Sequence, residues 1–346
     1  MYIDAHVHLR DFNQKHKETV RHGLEVARDS GVDAVFDMPN TDPPIVTKEL
    51  VKDRLRLAKE ANVPEVFYGL YIGLTSNSEQ IKRAVETYYE FSQVVGMKLY
   101  AGHSVGNLGV ARFEDQARIY STLSQQGFDG VLAVHAEKED ELNSGLWNYH
   151  NPITHCHARP EKAELESVRD QIKLALDYGF KGKMHIAHIS SPLAVKLVQE
   201  AKNLGVDISC GICPHHFIYD WQQMNCKNGV LWKMNPPLRS AESKQKMMLH
   251  LLSGEIDWIE TDHAPHTLDE KVNAPFMSGI PGLPWWNLFE EYLRLNGFSD
   301  SRIEEITFSN ISKRFDLDVK RSKKIIVDRR NDYPFNPYKP LEEQLI

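Results

Sequence analysis

The sequence has little of what marks several protein classes. Four cysteines in 346 residues are too few for a disulfide framework, which fits a reducing compartment. No apolar run approaches the roughly 18 residues that span a bilayer, so no membrane partner is expected. Met1 leads directly into Tyr2-Ile3-Asp4 without the basic and apolar regions of a signal peptide, and a cytoplasmic location is expected. Positive charge is not in excess: 41 basic against 48 acidic residues give −7, which argues against the basic face that a nucleic-acid backbone demands. No GxGxxG or P-loop spacing follows any candidate strand, and there is no low-complexity linker. The compositional surplus is histidine, 16 in all, and the question is where those residues sit.

At 41% apolar the chain can bury a large core. Its length is about twice the usual 150 residues of one domain, but an α/β barrel reaches this size as a single domain. Apolar, β-branched runs at 2–6, 32–38, 65–72, 94–100, 130–135, 183–189, 206–212 and 256–261 alternate with segments of helical period. That alternation is the pattern of parallel βα units. Thr47 and Ser191-Pro192 read as helix starts, and Gly31, Gly127, Gly179 and Gly205 as helix stops. Eight strands in this order predict an α/β fold, a (β/α)8 TIM-type barrel, with the functional site at the carboxyl ends of the strands. The rival is a doubly wound open sheet. The expected division is a barrel over residues 1–315 and a short C-terminal extension over 316–346 that packs on it. Segment 143–159 reads as a loop inserted near the site, and 325–327 as a last strand.

His6 and His8 share a face at the end of the first strand, because residues i and i+2 of a strand point the same way. His155 and His157 have the same spacing in a predicted loop, where nothing aligns the rings, so that pair reads as peripheral. His135, His188 and Asp262 end the fifth, sixth and eighth strands. Four imidazoles and a carboxylate converging from four strand ends suit a zinc-type ligand set. His185, three residues before His188, is expected on the opposite strand face, packed under the helices. Lys98 puts an ammonium in a buried strand, which demands either a partner or a lowered pKa; a neutral amine there can take up carbon dioxide as a carbamate that bridges two cations. Cys210 and Cys213 form a CxxC followed by His215 and His216, but no second half completes a structural zinc site.

Taken in order, Asp4-Ala5-His6-Val7-His8-Leu9-Arg10-Asp11, Asp37-Met38-Pro39-Asn40-Thr41, Met97-Lys98-Leu99-Tyr100, Val134-His135-Ala136-Glu137, Ala187-His188-Ile189-Ser190, Cys213-Pro214-His215-His216, Asn235-Pro236-Pro237-Leu238-Arg239, Thr261-Asp262-His263-Ala264-Pro265-His266 and Gly279-Ile280-Pro281-Gly282-Leu283 resemble the dihydroorotases of the amidohydrolase superfamily. The resemblance runs from about residue 2 to 330. It implies two Zn2+ per chain, one held by His6, His8 and Asp262, the other by His135 and His188, with carboxylated Lys98 as the bridge. It implies Asp262 as the catalytic general base and acid, Arg10, Asn40 and His266 as the holders of a substrate carboxylate, and Arg239 and Gly282 as further substrate-binding positions. The implied activity is the reversible hydrolysis of dihydroorotate to N-carbamoyl-L-aspartate in pyrimidine biosynthesis; ring closure consumes a proton, so lower pH should favour it. Segment 102–106, with Ser104, has the glycine hinges of a lid.

Relatives with this wording usually carry β-structure ahead of the barrel that joins the C-terminal end in a small sandwich, and here the first barrel strand starts at Met1. An edge strand left at 325–327 would favour a homodimer. A hydantoinase or dihydropyrimidinase would use the same metals on a ring without the carboxylate, and Arg10 and Asn40 speak against it. A non-catalytic subunit that supports aspartate transcarbamoylase would be expected to have lost ligands, whereas all six candidates are present.

Overall fold

A computed structural model describes residues 2–102, 108–321 and 325–345. Eight strands form in chain order: β1 (Tyr2–Val7), β2 (Val32–Asp37), β3 (Phe67–Gly73), β4 (Val94–Ala101), β5 (Val131–Ala136), β6 (Lys183–Ile186), β7 (Ile208–Ile212) and β8 (Trp258–Ile259). Each pairs with the next in parallel, β1 through β8. Val7 bridges His263 in parallel, and the His8 amide donates to the His263 carbonyl at 2.8 Å, so the last strand returns to the first. The sheet is a barrel, not an open doubly wound sheet.

Both sheet faces are buried, as parallel sheets require. Inside, Ile3, Ala5, Phe36, Tyr71, Val95 and Trp258 pack together, and Phe308 and Ile311 belong to the same cluster. These residues plug the barrel and leave chemistry to the opposite, carboxyl end. The other strand face packs on the helices, which begin and end where local chemistry directs. The Thr47 hydroxyl accepts from the Leu50 amide at the start of Lys48–Ala61, and Pro192 opens Pro192–Asn203. Gly31 and Gly205 take φ of +82° and +83°, a left-handed turn that costs glycine nothing.

Strand ends depart from the sequence expectation in one informative way. β6 stops at Ile186 and β8 at Ile259, because His188 and Asp262 turn to φ of +40° and +48°. Non-glycine residues pay about 1–3 kcal/mol for such conformations, which cluster at functional sites. The break also overturns the placement of His185. Its ring stacks on Trp258 at 4.1 Å, inside the barrel rather than under the helices, since strand parity does not carry through to His188.

Residues 143–159 hold a 3-10 turn at Ser144–Leu146 and a short helix at Thr154–Ala158. The 325–327 segment is not a strand: Val327 donates one backbone bond to Asp29, and Ile325 is 86% exposed. Further on, Tyr333 donates to Glu18 at 2.7 Å and Tyr338 is buried against Phe289. Among the described residues no helix is long and apolar enough to cross a membrane.

Candidate metal centre

His6, His8 and Asp262 come together at the carboxyl end of the barrel. The His8 Nε2 lies 2.9 Å from Asp262 Oδ1, and the His6 Nε2 lies 3.4 Å from the same oxygen. Their ligand atoms all fall within 4.8 Å of one another. A tetrahedral ion with donors near 2.05 Å separates those donors by about 3.3 Å, so the spacing fits a cation at their centre. Partner chemistry points the same way. The Asn40 carbonyl oxygen sits 2.7 Å from His8 Nδ1, so Nδ1 is the donor and the Nε2 lone pair faces a carboxylate oxygen. Two acceptors at 2.9 Å repel unless a proton or a cation stands between them. Burial, then the neighbouring Arg10, holds His8 well below its ordinary pKa, which disfavours the proton.

A second pair is built alike. His135 Nδ1 and His188 Nε2 are 3.0 Å apart. On its far side His135 donates Nε2–H to Glu137 at 3.0 Å, and Arg159 grips Glu137 at 2.6 Å. A carboxylate behind a histidine fixes the tautomer that leaves the other nitrogen free for metal. Lys98 lies on β4, fully buried, with Nζ free of any hydrogen bond among the described residues. Burial lowers its pKa to about 8, against the opposing pull of Glu260 and Asp262. Burial, then Lys98, brings His6 down to about 4, and burial likewise lowers His8 and His188, which favours the neutral form that metal ligation requires.

A cavity of about 230 Å3 opens over this group, walled by His6, His8, Arg10, Asn40, His135, His188, Asp262 and His266 among others. It is smaller than the roughly 300–1,000 Å3 typical of drug-sized ligands and suits a small metabolite. Arg10 Nη2 is 3.2 Å from His266 Nε2, and no carboxylate engages Arg10 among the described residues, which leaves a buried cation facing the cavity. Arg239 and Gly282, expected to touch substrate, are not on the wall. Arg239 is tied to Ser190, Glu164 and the Arg159 carbonyl, and the Gly282 amide donates to His263 at 3.1 Å. Of the expected lid at 102–106, residues 103–106 lie outside the described residues.

Several residues join the site that sequence reasoning did not single out. Gln14, Lys17, Tyr100, Lys233 and Asn235 line the cavity. Glu260 sits beneath the ligands with its carboxylate against His6, His185 and the His188 amide. Its signal in the sequence was a charged residue two positions before Asp262 on a buried strand. The CxxC does not close on one ion: Cys210 contacts Glu255 on the outer side, whereas Cys213 groups with His215 and His216, all buried.

No family model matches the chain. Curated proteins do. A dihydroorotase from Brevibacillus brevis is 34% identical over 290 residues, covering 81% of this chain and 64% of the relative, and one from Lactobacillus helveticus is 32% identical over 286 residues with the same coverage. The chain is similar in sequence to dihydroorotases. It spans less than two thirds of the length of these relatives, 64%. An allantoinase from Deinococcus radiodurans is 30% identical over 81% of this chain and 62% of its own. The chain also shares its fold with solved enzymes. L-hydantoinase from Arthrobacter aurescens matches with a TM-score of 0.80 at 22% identity, over 95% of this chain and 74% of that one. A dihydroorotase from Campylobacter jejuni matches at 0.70 and 19% identity, over 93% and 85%.

Proposed function

We propose that this chain is a zinc-dependent dihydroorotase of the cytoplasm, interconverting dihydroorotate and N-carbamoyl-L-aspartate for pyrimidine synthesis. The observation that carries the reading is the pairing of two buried histidine clusters around Asp262 and Lys98 with Arg10, which makes no ion pair among the described residues, on the wall of the same small cavity. His6, His8 and Asp262 would hold one zinc, His135 and His188 the other, with Lys98, carboxylated, between them. Residues 1–315 would form the catalytic unit and 316–346 an extension packed on it.

When bound, the metals supply Lewis acidity and lower the pKa of water from 15.7 to about 7. The chain's own groups do the rest. Arg10, Asn40 and His266 bind the substrate carboxylate, because a desolvated carboxylate needs charged and polar donors. Asp262 accepts a proton from the attacking water and returns it to the leaving ring nitrogen. Burial raises the Asp262 pKa, which suits a carboxylate that must take a proton and give it back. Arg239 and Gly282 serve behind the wall: Arg239 ties Glu164 to Ser190, and the Gly282 amide holds His263 next to Asp262.

A hydantoin-type ring is the second reading, favoured by the allantoinase among the relatives. Turnover of dihydroorotate, hydantoin and allantoin by the zinc-loaded protein separates them. Dihydroorotate should be consumed fastest by kcat/KM; preference for either five-membered ring would overturn the assignment.

A further inference from the structure

Glu260 is fully buried, and among the described residues the polar groups nearest its carboxylate are all nitrogens. Oε1 accepts from the His188 amide at 2.6 Å and lies 3.7 Å from His6 Nδ1. Oε2 accepts from His185 Nε2 at 3.2 Å and from Trp258 Nε1 at 3.1 Å. An ionised carboxylate is an acceptor only, so each nitrogen facing it is selected as a donor. His6 has a carboxylate on each side, Asp262 3.4 Å from Nε2 and Glu260 3.7 Å from Nδ1, and Nδ1 has no hydrogen-bond partner among the described residues; with Nε2 given to a cation, the hydrogen is left on Nδ1, toward Glu260. For His188 it pins the amide of a residue held at φ +40°. One carboxylate thus reaches a histidine of each proposed metal pair.

We propose that Glu260 is the positioning residue of the metal centre, setting the His6 tautomer and the His188 backbone, and that Gly211 exists to make room for it. The inference rests on the metal-binding reading above. A Cβ built at Gly211 would stand 2.7 Å from the Glu260 carboxyl carbon and 2.9 Å from both its oxygens. Within a glutamate side chain, Cβ and the carboxyl carbon are about 2.5 Å apart, two bonds of roughly 1.5 Å at a tetrahedral angle. A glutamate at position 211 on β7 can therefore deliver its carboxylate to the place that Glu260 fills from the end of β8, provided Glu260 has been removed. The two positions are alternative sources of one buried anion, and both at once would overfill the space.

The test measures zinc affinity by chelator competition on the full chain, with circular dichroism to verify folding. Glu260→Gln keeps size but turns a donor toward His6 Nδ1 or His185, and should weaken zinc binding about 10- to 100-fold, the usual effect of losing such a partner. Glu260→Ala should do at least as much, and Glu260→Ala combined with Gly211→Glu should recover most of the loss; a purely structural role would not return metal affinity with the carboxylate. Gly211→Glu alone should destabilise the fold. Should Glu260→Ala fail to fold, Glu260→Gln alone decides. Unchanged zinc affinity in folded Glu260→Gln overturns the proposal. Failure of the unsubstituted chain to bind zinc would instead overturn the metal reading on which it rests.

Discussion

In the proposed reaction Asp262 accepts a proton in a site that burial makes hostile to charge, and its contacts with His6 and His8 make it both a candidate ligand and the candidate base. Asp262→Asn should lower kcat by about 10²- to 10⁴-fold, measured as dihydroorotate turnover. Arg10 is expected to act earlier, on binding: Arg10→Met should raise KM by an amount that exceeds its effect on kcat, since it removes a charged partner of the substrate carboxylate worth about 1.5–3 kcal/mol. A fall in kcat with KM unchanged would deny Arg10 that role. At this scale, what position at a strand end governs was legible. His6 and His8 come to one spot from β1, and His135 and His188 meet across two strand ends. What that position does not govern was not legible. The positive φ at His188 sent His185 into the barrel, and the carboxylates behind the histidines, Glu137 and Glu260, show their purpose only when the partners are seen in space.

Among the elements, β1 and β2 carry a support whose loss should be felt in stability. Arg54, from the helix Lys48–Ala61, is fully buried and reaches Asp37 Oδ2 at 2.6 Å and the Arg10 carbonyl at 2.6 Å. Asp37 in turn accepts from the Leu9 amide and the Tyr68 hydroxyl. Removing one member of a buried pair leaves the other charge uncompensated, at about 3–5 kcal/mol. Arg54→Met should lower the chemical-denaturation free energy by that amount, and because Arg54 also braces the turn at Arg10, KM should rise with it. The number and order of strands could be read from apolar runs and glycine stops. Their ends could not, because β6 and β8 are cut short by the turned residues His188 and Asp262, and local pattern does not register that cost. The 325–327 run was misread for a related reason: its β-branched residues have strand propensity, but among the described residues Val327 has a single backbone bond, to Asp29.

For the whole molecule, the tail and the metal centre make separate demands. His22 links Glu18 and Asp332 at 3.0 Å each, and the hydrogen bond to Glu18 comes first among the causes that raise its pKa above 6.5. A group that binds its proton more tightly when folded contributes fully below its unfolded pKa and loses the contribution as pH rises through the folded value. Melting temperature should therefore decline as pH rises above 6.5, and His22→Gln should flatten that slope; an identical slope in the variant would remove His22 from the linkage. Chelation should abolish turnover and lower Tm, since a ligand that binds only the folded chain stabilises it by mass action, and zinc with bicarbonate should restore both. The most direct test of the metal centre is an anomalous difference map recorded at the zinc edge from crystals of the zinc-loaded protein. Two peaks are predicted, one within about 2.0–2.2 Å of donor atoms on His6, His8 and Asp262, the other at the same range from His135 and His188, with density joining Lys98 Nζ to both. No peak among these residues, or zinc bound elsewhere with Lys98 turned away, would contradict it.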